Sequence, residues 1–201
     1  MGYKVITLSD LVESVGEQEA KKIVVGFKSI PSDVKNDVEC FLHSKAIEFE
    51  KASISTTHLV FKFIDGEFKL VGYFSLANKK LIISKSNYSK LSSNQRQKLC
   101  KKGDKTDSGA YYINSYLIGQ IGKNYSGDIP KGSITGRDLL SLAYNNLLDV
   151  NKIIKAKYVW IECEPKEKLI GFYERFGFKK IKNFESKNGL TVMIMKLMKP
   201  K

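Results

Sequence analysis

Two stretches of the chain combine residue types that can hold or move charge. The first, Lys131-Gly-Ser-Ile-Thr-Gly-Arg137, sets two glycines, two small hydroxyls and two cationic side chains just ahead of an apolar-periodic run beginning at Leu139. At a helix mouth the free amides and the helix dipole attract a phosphate, and Lys131 and Arg137 add positive charge to that field. A plainer reading stands beside it: Thr135 and Asp138 make a T-x-x-D capping box that starts a helix and binds nothing. The second stretch runs from Glu162 and Glu164 to Tyr173. Strand alternation puts both carboxylates on the face of Trp160, opposite Val159, Ile161 and Cys163. A carboxylate there can take a proton directly or through water. Equally, Glu162 can serve a salt bridge and Glu164 can close the strand before Pro165. Tyr173 belongs to an F-Y-x-x-x-G-F block, where its ring can pack on Phe176 and Phe178. Cys163 reads as core, because no His or Asn stands at a spacing that would activate it. His43 and His58 read as surface or packing residues.

The elements that must carry these residues follow from periodicity. Tyr3 to Thr7 reads as a short strand, and Gly16 to Ile30 as a helix stopped by Pro31. Ser32 or Asp33 is placed to cap a further helix whose apolar positions Val34, Val38, Phe41, Leu42 and Phe49 recur every three or four residues and which ends near Ala52. "THLVFKFI" and "KLVGYFSLA" flank Asp65-Gly66, a hairpin signal. The polar stretch 84–109 is expected to be an exposed insertion with one short helix near Asn94 to Lys101. From Gly109 onwards the order is β, α, β, α, β, β. It includes "AYYINSYLIGQIG", a helix with Leu139, Leu140, Ala143, Leu147, Val150 and Ile154 on one stripe, then "KYVWIECEP", "KEKLIGFYERFG" and "LTVMIMKLM". Gly119 and Gly122 interrupt the first of these strands, which marks a bulge or the close approach of a backbone or a ligand.

Composition limits the classes. A chain of 201 residues with 42% apolar content is expected to form one α/β domain spanning 1–201. The chain lacks both an 18-residue apolar run and a cleavable apolar start, and Ile6 sits where a myristoylation signal needs Ser or Thr. It therefore reads as soluble, unprocessed and cytoplasmic, with no membrane partner. Cys40, Cys100 and Cys163 stand far apart, and with only His43 and His58 besides they offer no metal-ligand spacing, so no metal is expected. The net charge of +13 points to an anionic partner. Much of it lies between Lys79 and Lys105, where eight Lys and one Arg face one Asp. Only Arg96, Arg137 and Arg175 are Arg, and a Lys-rich surface is also a common composition bias.

"YLIGQIGKN", "KGSITGRDLL", "YVWIECEP" and "LIGFYERFGFKKI", taken in order over Ser115 to Lys182, resemble the successive blocks of the GNAT acyltransferases. "VECFLHSKAIEFEKASISTTHLVF" and "LVGYFSLA" are similar to a narrower branch, the GNAT toxins that acetylate the amine of aminoacyl-tRNA. The resemblance implies a central twisted mixed sheet flanked by helices. It also implies acetyl-CoA as co-substrate, bound by Ile121, Gly122 and Lys123, by the turn Lys131, Gly132, Ser133, Ile134, Thr135, Gly136 and Arg137, and by Lys166 and Phe172. The chain departs from the Q/R-x-x-G-x-G/A turn by carrying Lys131 at its start and Ile134 at the middle glycine. Tyr173 is implied as the general acid: a phenol with a pKa of about 10 is protonated at neutral pH and can donate to a departing thiolate. Glu162 and Glu164 are then the carboxylates available to accept the amine proton.

Three functions follow as expectations. One is an N-acetyltransferase acting on aminoacyl-tRNA, favoured by the basic segment and the N-terminal likeness. The second is the same enzyme acting on a small amine or a protein N-terminus. The third is a catalytically silent GNAT-fold module that binds nucleic acid or acyl-CoA. A monomer or a homodimer fits any of them.

Overall fold

Capping and turn chemistry set the element boundaries of the computed structural model, which describes residues 2–30, 36–184, 186 and 188–198. In chain order these are β1 (Lys4–Thr7), α1 (Leu8–Val15), α2 (Glu17–Val25), α3 (Asp37–Ser44), α4 (Ala46–Lys51), β2 (Thr56–Ile64), β3 (Glu67–Asn78) and β4 (Leu81–Ile83). There follow α5 (Lys85–Lys90), α6 (Ser93–Cys100), β5 (Asp104–Lys105), β6 (Tyr111–Ile113), β7 (Ser115–Lys123) and α7 (Gly136–Ile153). The chain closes with β8 (Tyr158–Cys163), α8 (Glu167–Phe176), β9 (Lys179–Lys180) and β10 (Thr191–Lys196). Seven strands hydrogen-bond in the order β1-β2-β3-β7-β8-β10-β9, and a second sheet runs β4-β6-β5. Antiparallel ladders and one parallel pair, β7 with β8, make the large sheet mixed. The chain divides into two compact units, Met1–Ala77 with Ile118–Asn146, and Asn78–Leu117 with Leu147–Lys201.

In the first unit, α1 is an addition to the sequence reading, which began the first helix at Gly16. A reciprocal capping box creates it: Thr7 Oγ1 accepts from the Asp10 amide at 3.0 Å, and the Asp10 carboxylate accepts from the Thr7 amide at 3.3 Å. Gly16, at φ +82°, separates α1 from α2. The expected capping residues Ser32 and Asp33, with Pro31 and Val34, lie outside the described residues. The described cap of α3 is Asn36, whose side chain accepts from the Val38 and Glu39 amides. The β2–β3 hairpin turns through Asp65 (φ +50°) and Gly66 (φ +91°), both in the left-handed region that a two-residue type I′ turn requires. A bulge leaves Val71 unpaired between Leu70 and Gly72. Leu8, Leu11, Val24, Phe27, Phe41, Leu42, Leu59, Phe61, Leu70 and Tyr73 form the core against these strands. Tyr73 is fully buried, and its hydroxyl reaches the Val38 carbonyl at 2.5 Å.

In the second unit, the stretch expected as an exposed insertion contributes to the core. Leu91, Leu99 and Cys100 are buried with Trp160, Val192 and Ile194, next to the buried Leu81 and Ile83 that precede the stretch. Ser92 and Gln95 cap α6 reciprocally, and the Arg96 guanidinium sits 4.8 Å over the Tyr88 ring while donating to the Tyr88 and Ser89 carbonyls. The lysines of the segment stay exposed. Its polar sequence thus hides a few inward apolar residues, Leu91, Leu99 and Cys100, while polar and charged side chains cover the rest. β7 begins here: buried Ser115 donates to the Lys79 carbonyl at 2.9 Å and accepts from the Leu81 amide, and Ser115–Leu117 pair with Tyr158–Trp160.

Candidate active site

The first unit carries the candidate cofactor turn. β7 leaves the sheet at Asn124, whose side chain accepts from the Lys28 and Ser126 amides and donates to the Leu70 carbonyl at 2.8 Å. The half-buried Ile121, Gly122 and Lys123 precede it. A Cβ added to Gly122 would meet Val38 Cγ1 at 2.7 Å and Phe27 Cζ at 3.3 Å, so protein packing occupies that side of the glycine. Gly72 is likewise forced: a Cβ there would lie 3.0 Å from the Gly122 carbonyl oxygen. The Lys123 ammonium sits 4.9 Å over the Tyr125 ring.

The turn itself sorts its residues by burial. Lys131, Gly132, Thr135 and Arg137 are exposed, whereas Ser133 and Ile134 are buried. Ser133 Oγ donates to the Pro130 carbonyl at 2.7 Å. Gly132 holds φ +83° with open space on its Cβ side. The capping box at the mouth of α7 is present. Thr135 Oγ1 accepts from the Asp138 amide, and the Asp138 carboxylate accepts from the Thr135 amide and hydroxyl. Those bonds from Thr135 hold the Asp138 carboxyl below its usual pKa. Two residues that sequence reasoning missed reach this turn. The Tyr3 hydroxyl lies 3.3 Å from both the Ser133 carbonyl and Asp138 Oδ2, and the Lys62 ammonium donates to the same carbonyl at 3.0 Å. Burial, then the Asp138 charge, raises the Tyr3 phenol pKa. No local pattern flags either residue, because their separations from Ser133 in sequence are long.

The second unit carries Tyr173, Glu162, Glu164, Lys166 and Phe172. Gly177 ends α8 at φ +120°. Its amide and that of Phe178 both donate to the Tyr173 carbonyl, at 3.2 and 3.1 Å. This closure folds Phe178 back so that its ring lies 5.9 Å from that of Tyr173, with Phe172 at 5.1 Å on another side. Tyr173 is 5% exposed. Burial, with a smaller contribution from Cys163, pushes its pKa well above that of a free phenol, so it stays protonated. Among the described residues its hydroxyl has no hydrogen-bond partner. Glu164 is exposed and pairs with Lys166 at 2.6 Å, and Glu162 is exposed on the strand face where Trp160 is buried. Cys163 is buried and its thiol pKa is raised by that burial. Among the described residues no cluster of His, Cys, Asp and Glu suits a metal ion, and no helix is long and apolar enough to cross a membrane.

The fold is that of the GNAT acyltransferases. No family model and no curated protein matches the chain, but solved structures do. AtaT complexed with acetyl-methionyl-tRNAfMet superposes with a TM-score of 0.63 at 15% identity, over 97% of this chain and 95% of that one. A tyrosine-to-phenylalanine variant of KacT gives 0.62 at 14% identity, over 98% and 96%. A corresponding AtaT variant, bound to the C-terminus of the antitoxin AtaR and acetyl-CoA, gives 0.59 at 13%, over 97% and 93%. At these identities the likeness is one of fold.

Proposed function

We propose that the chain is an acetyl-CoA-dependent N-acetyltransferase whose acceptor is the amine of an aminoacyl-tRNA. The observation that carries the reading is Tyr173: a buried, protonated phenol, unpartnered among the described residues and held in place by the Gly177 closure, in a chain whose fold AtaT uses while bound to acetyl-CoA and to acetyl-methionyl-tRNAfMet. In this reading the exposed part of the turn, Lys131, Gly132, Thr135 and Arg137, together with the first amides of α7, holds the pyrophosphate of acetyl-CoA. Ile121, Gly122 and Lys123 offer backbone groups to its pantetheine arm, and Ser133 and Ile134 support the turn from beneath, with Lys166 and Phe172 as further contacts. Asp138 stays ionised in the same turn, with its carboxylate directed at the Thr135 and Tyr3 hydroxyls, and Lys131 and Arg137 offset its charge.

The amine nitrogen attacks the thioester carbonyl carbon, the carbon–sulfur bond breaks, and the departing sulfur takes the Tyr173 proton. The amine proton leaves to water, with Glu162 or Glu164 as relay. The test begins with calorimetry of acetyl-CoA on the wild type and on Gly136→Glu, which sets a carboxylate at the mouth of α7. Binding that the substitution abolishes supports the turn assignment; no binding by the wild type ends the enzymatic reading. Transfer of labelled acetyl to a panel of aminoacyl-tRNAs, free amines and peptides then identifies the acceptor. Tyr173→Phe is expected to lower kcat by about 10²–10⁴-fold, the range for a lost general acid, with little change in the affinity for acetyl-CoA.

A further inference from the structure

The second unit holds a cavity of about 320 Å3 that the acetyl-transfer chemistry does not use. That volume falls at the lower end of the roughly 300–1,000 Å3 spanned by ligand pockets. Its floor is apolar, made by the buried Leu99, Ile113 and Ala156. Its rim is cationic: Lys102, Lys155 and Lys157 are exposed around it, and no Asp or Glu lines it. The backbone builds this grouping. The Asn114 side chain donates to the Lys155 carbonyl at 3.0 Å and the Lys157 amide donates to the Asn114 carbonyl, so the segment before β8 is tied to the start of β7. The Lys157 ammonium is held at the rim by the Lys98 carbonyl at 3.2 Å and by the Tyr158 ring, 5.0 Å below it.

Lysines that line one hollow repel one another until an anion sits among them. The charge does not stop at the rim. Lys98, Lys101 and Lys105 are exposed on the same stretch of chain, and its single acid, Asp104, lies 3.9 Å from Lys80. A field of this extent suits a polymer with repeated charges better than one small anion.

The geometry points to a nucleic-acid docking site, in which the cavity seats a backbone phosphate between Lys102, Lys155 and Lys157 while the neighbouring lysines follow the strand. The site deepens the reading of the acceptor as a tRNA and depends on it only for the kind of nucleic acid. The test is fluorescence anisotropy of labelled, deacylated tRNA, titrated at several salt concentrations between about 50 and 200 mM. The wild type is compared with Lys102→Ala/Lys155→Ala and with Lys45→Ala/Lys182→Ala, a control that removes two exposed lysines elsewhere.

At about 0.7–0.9 per phosphate neutralised, loss of the one phosphate seated in the cavity is expected to lower the slope of log affinity against log salt by about 0.7–0.9. It should also weaken binding at least tenfold, with the control within about twofold of wild type. Equal losses in the two variants overturn the site, as does a wild type that binds no tRNA. If inorganic phosphate occupies the cavity but tRNA does not compete for it, the site belongs to a small anion and the docking proposal fails. Acetyl-CoA calorimetry keeps the two readings apart. A wild type that binds tRNA through these lysines and takes no acetyl-CoA retires the acetyl-transfer reading and leaves the docking site standing.

Discussion

A methyl group at Gly122 would sit 2.7 Å from Val38 Cγ1 and 3.3 Å from Phe27 Cζ. Neither neighbour yields easily. Phe27 is fully buried and packs edge-on against Tyr73 at 5.1 Å, and the Val38 carbonyl is held by the Tyr73 hydroxyl. Overpacking of this kind costs about 1–3 kcal/mol, against which a Gly→Ala change recovers about 0.4–1 kcal/mol by restricting the unfolded chain. Gly122→Ala is therefore expected to destabilise the protein by about 1–2 kcal/mol. Val38→Ala removes two half-buried methyl groups and costs about 1 kcal/mol. In the double variant the new methyl fills the space that Val38 vacates, so the total is expected near 1 kcal/mol and not the sum of the two. The resulting coupling of about 1–2 kcal/mol exceeds the roughly 0.3–0.5 kcal/mol within which independent sites add. Urea denaturation with a common m-value measures it. An additive double variant, or a neutral Gly122→Ala, refutes the argument that protein packing is what requires glycine there.

Tyr3→Phe removes the hydroxyl shared by the Ser133 carbonyl and Asp138. It is expected to cost about 0.5–1.5 kcal/mol in thermal unfolding and, if the turn holds acetyl-CoA, to raise the KM for it more than it lowers kcat. Gly177→Ala places a side chain at φ +120°, 3.1 Å from Met195 Sδ. A loss of about 1–3 kcal/mol is expected, or a Tm lower by at least about 3 °C, and an unchanged Tm argues against the strained closure of α8. Burial lowers the His58 pKa below 6.5 in the folded protein. The unfolded chain therefore binds the extra proton first, and stability falls as pH drops below about 6.5. A Tm series against pH is expected to show that decline, and His58→Gln to flatten it.

The secondary structure was most legible where pattern and turn chemistry act over a few residues. The β2–β3 hairpin follows from β-branched runs around Asp65-Gly66, α7 from its Leu139–Leu147 stripe, and the end of α8 from Gly177. The missed α1 has the same local logic in its Thr7–Asp10 box, hidden because eight residues give too short a period to recognise. Residues 84–109 misled for a different reason. Their polar majority outweighed Leu91 and Leu99, whose burial depends on partners such as Trp160 and Ile194 far along the chain.

The candidate site divides along the same line. Sequence alone determined that a Lys-Gly-Ser-Ile-Thr-Gly-Arg turn opens a helix and that Tyr173 lies in an F-Y-x-x-x-G-F block whose Gly177 stops a helix, because caps and terminators are written in adjacent residues. Only the tertiary structure decided that Tyr3 and Lys62 hold the Ser133 carbonyl and that Gly122 makes room for Val38. It also decided that Lys102, Lys155 and Lys157 surround one cavity. Those contacts join residues tens of positions apart, and no period or propensity encodes which distant segments the burial of apolar surface will bring together.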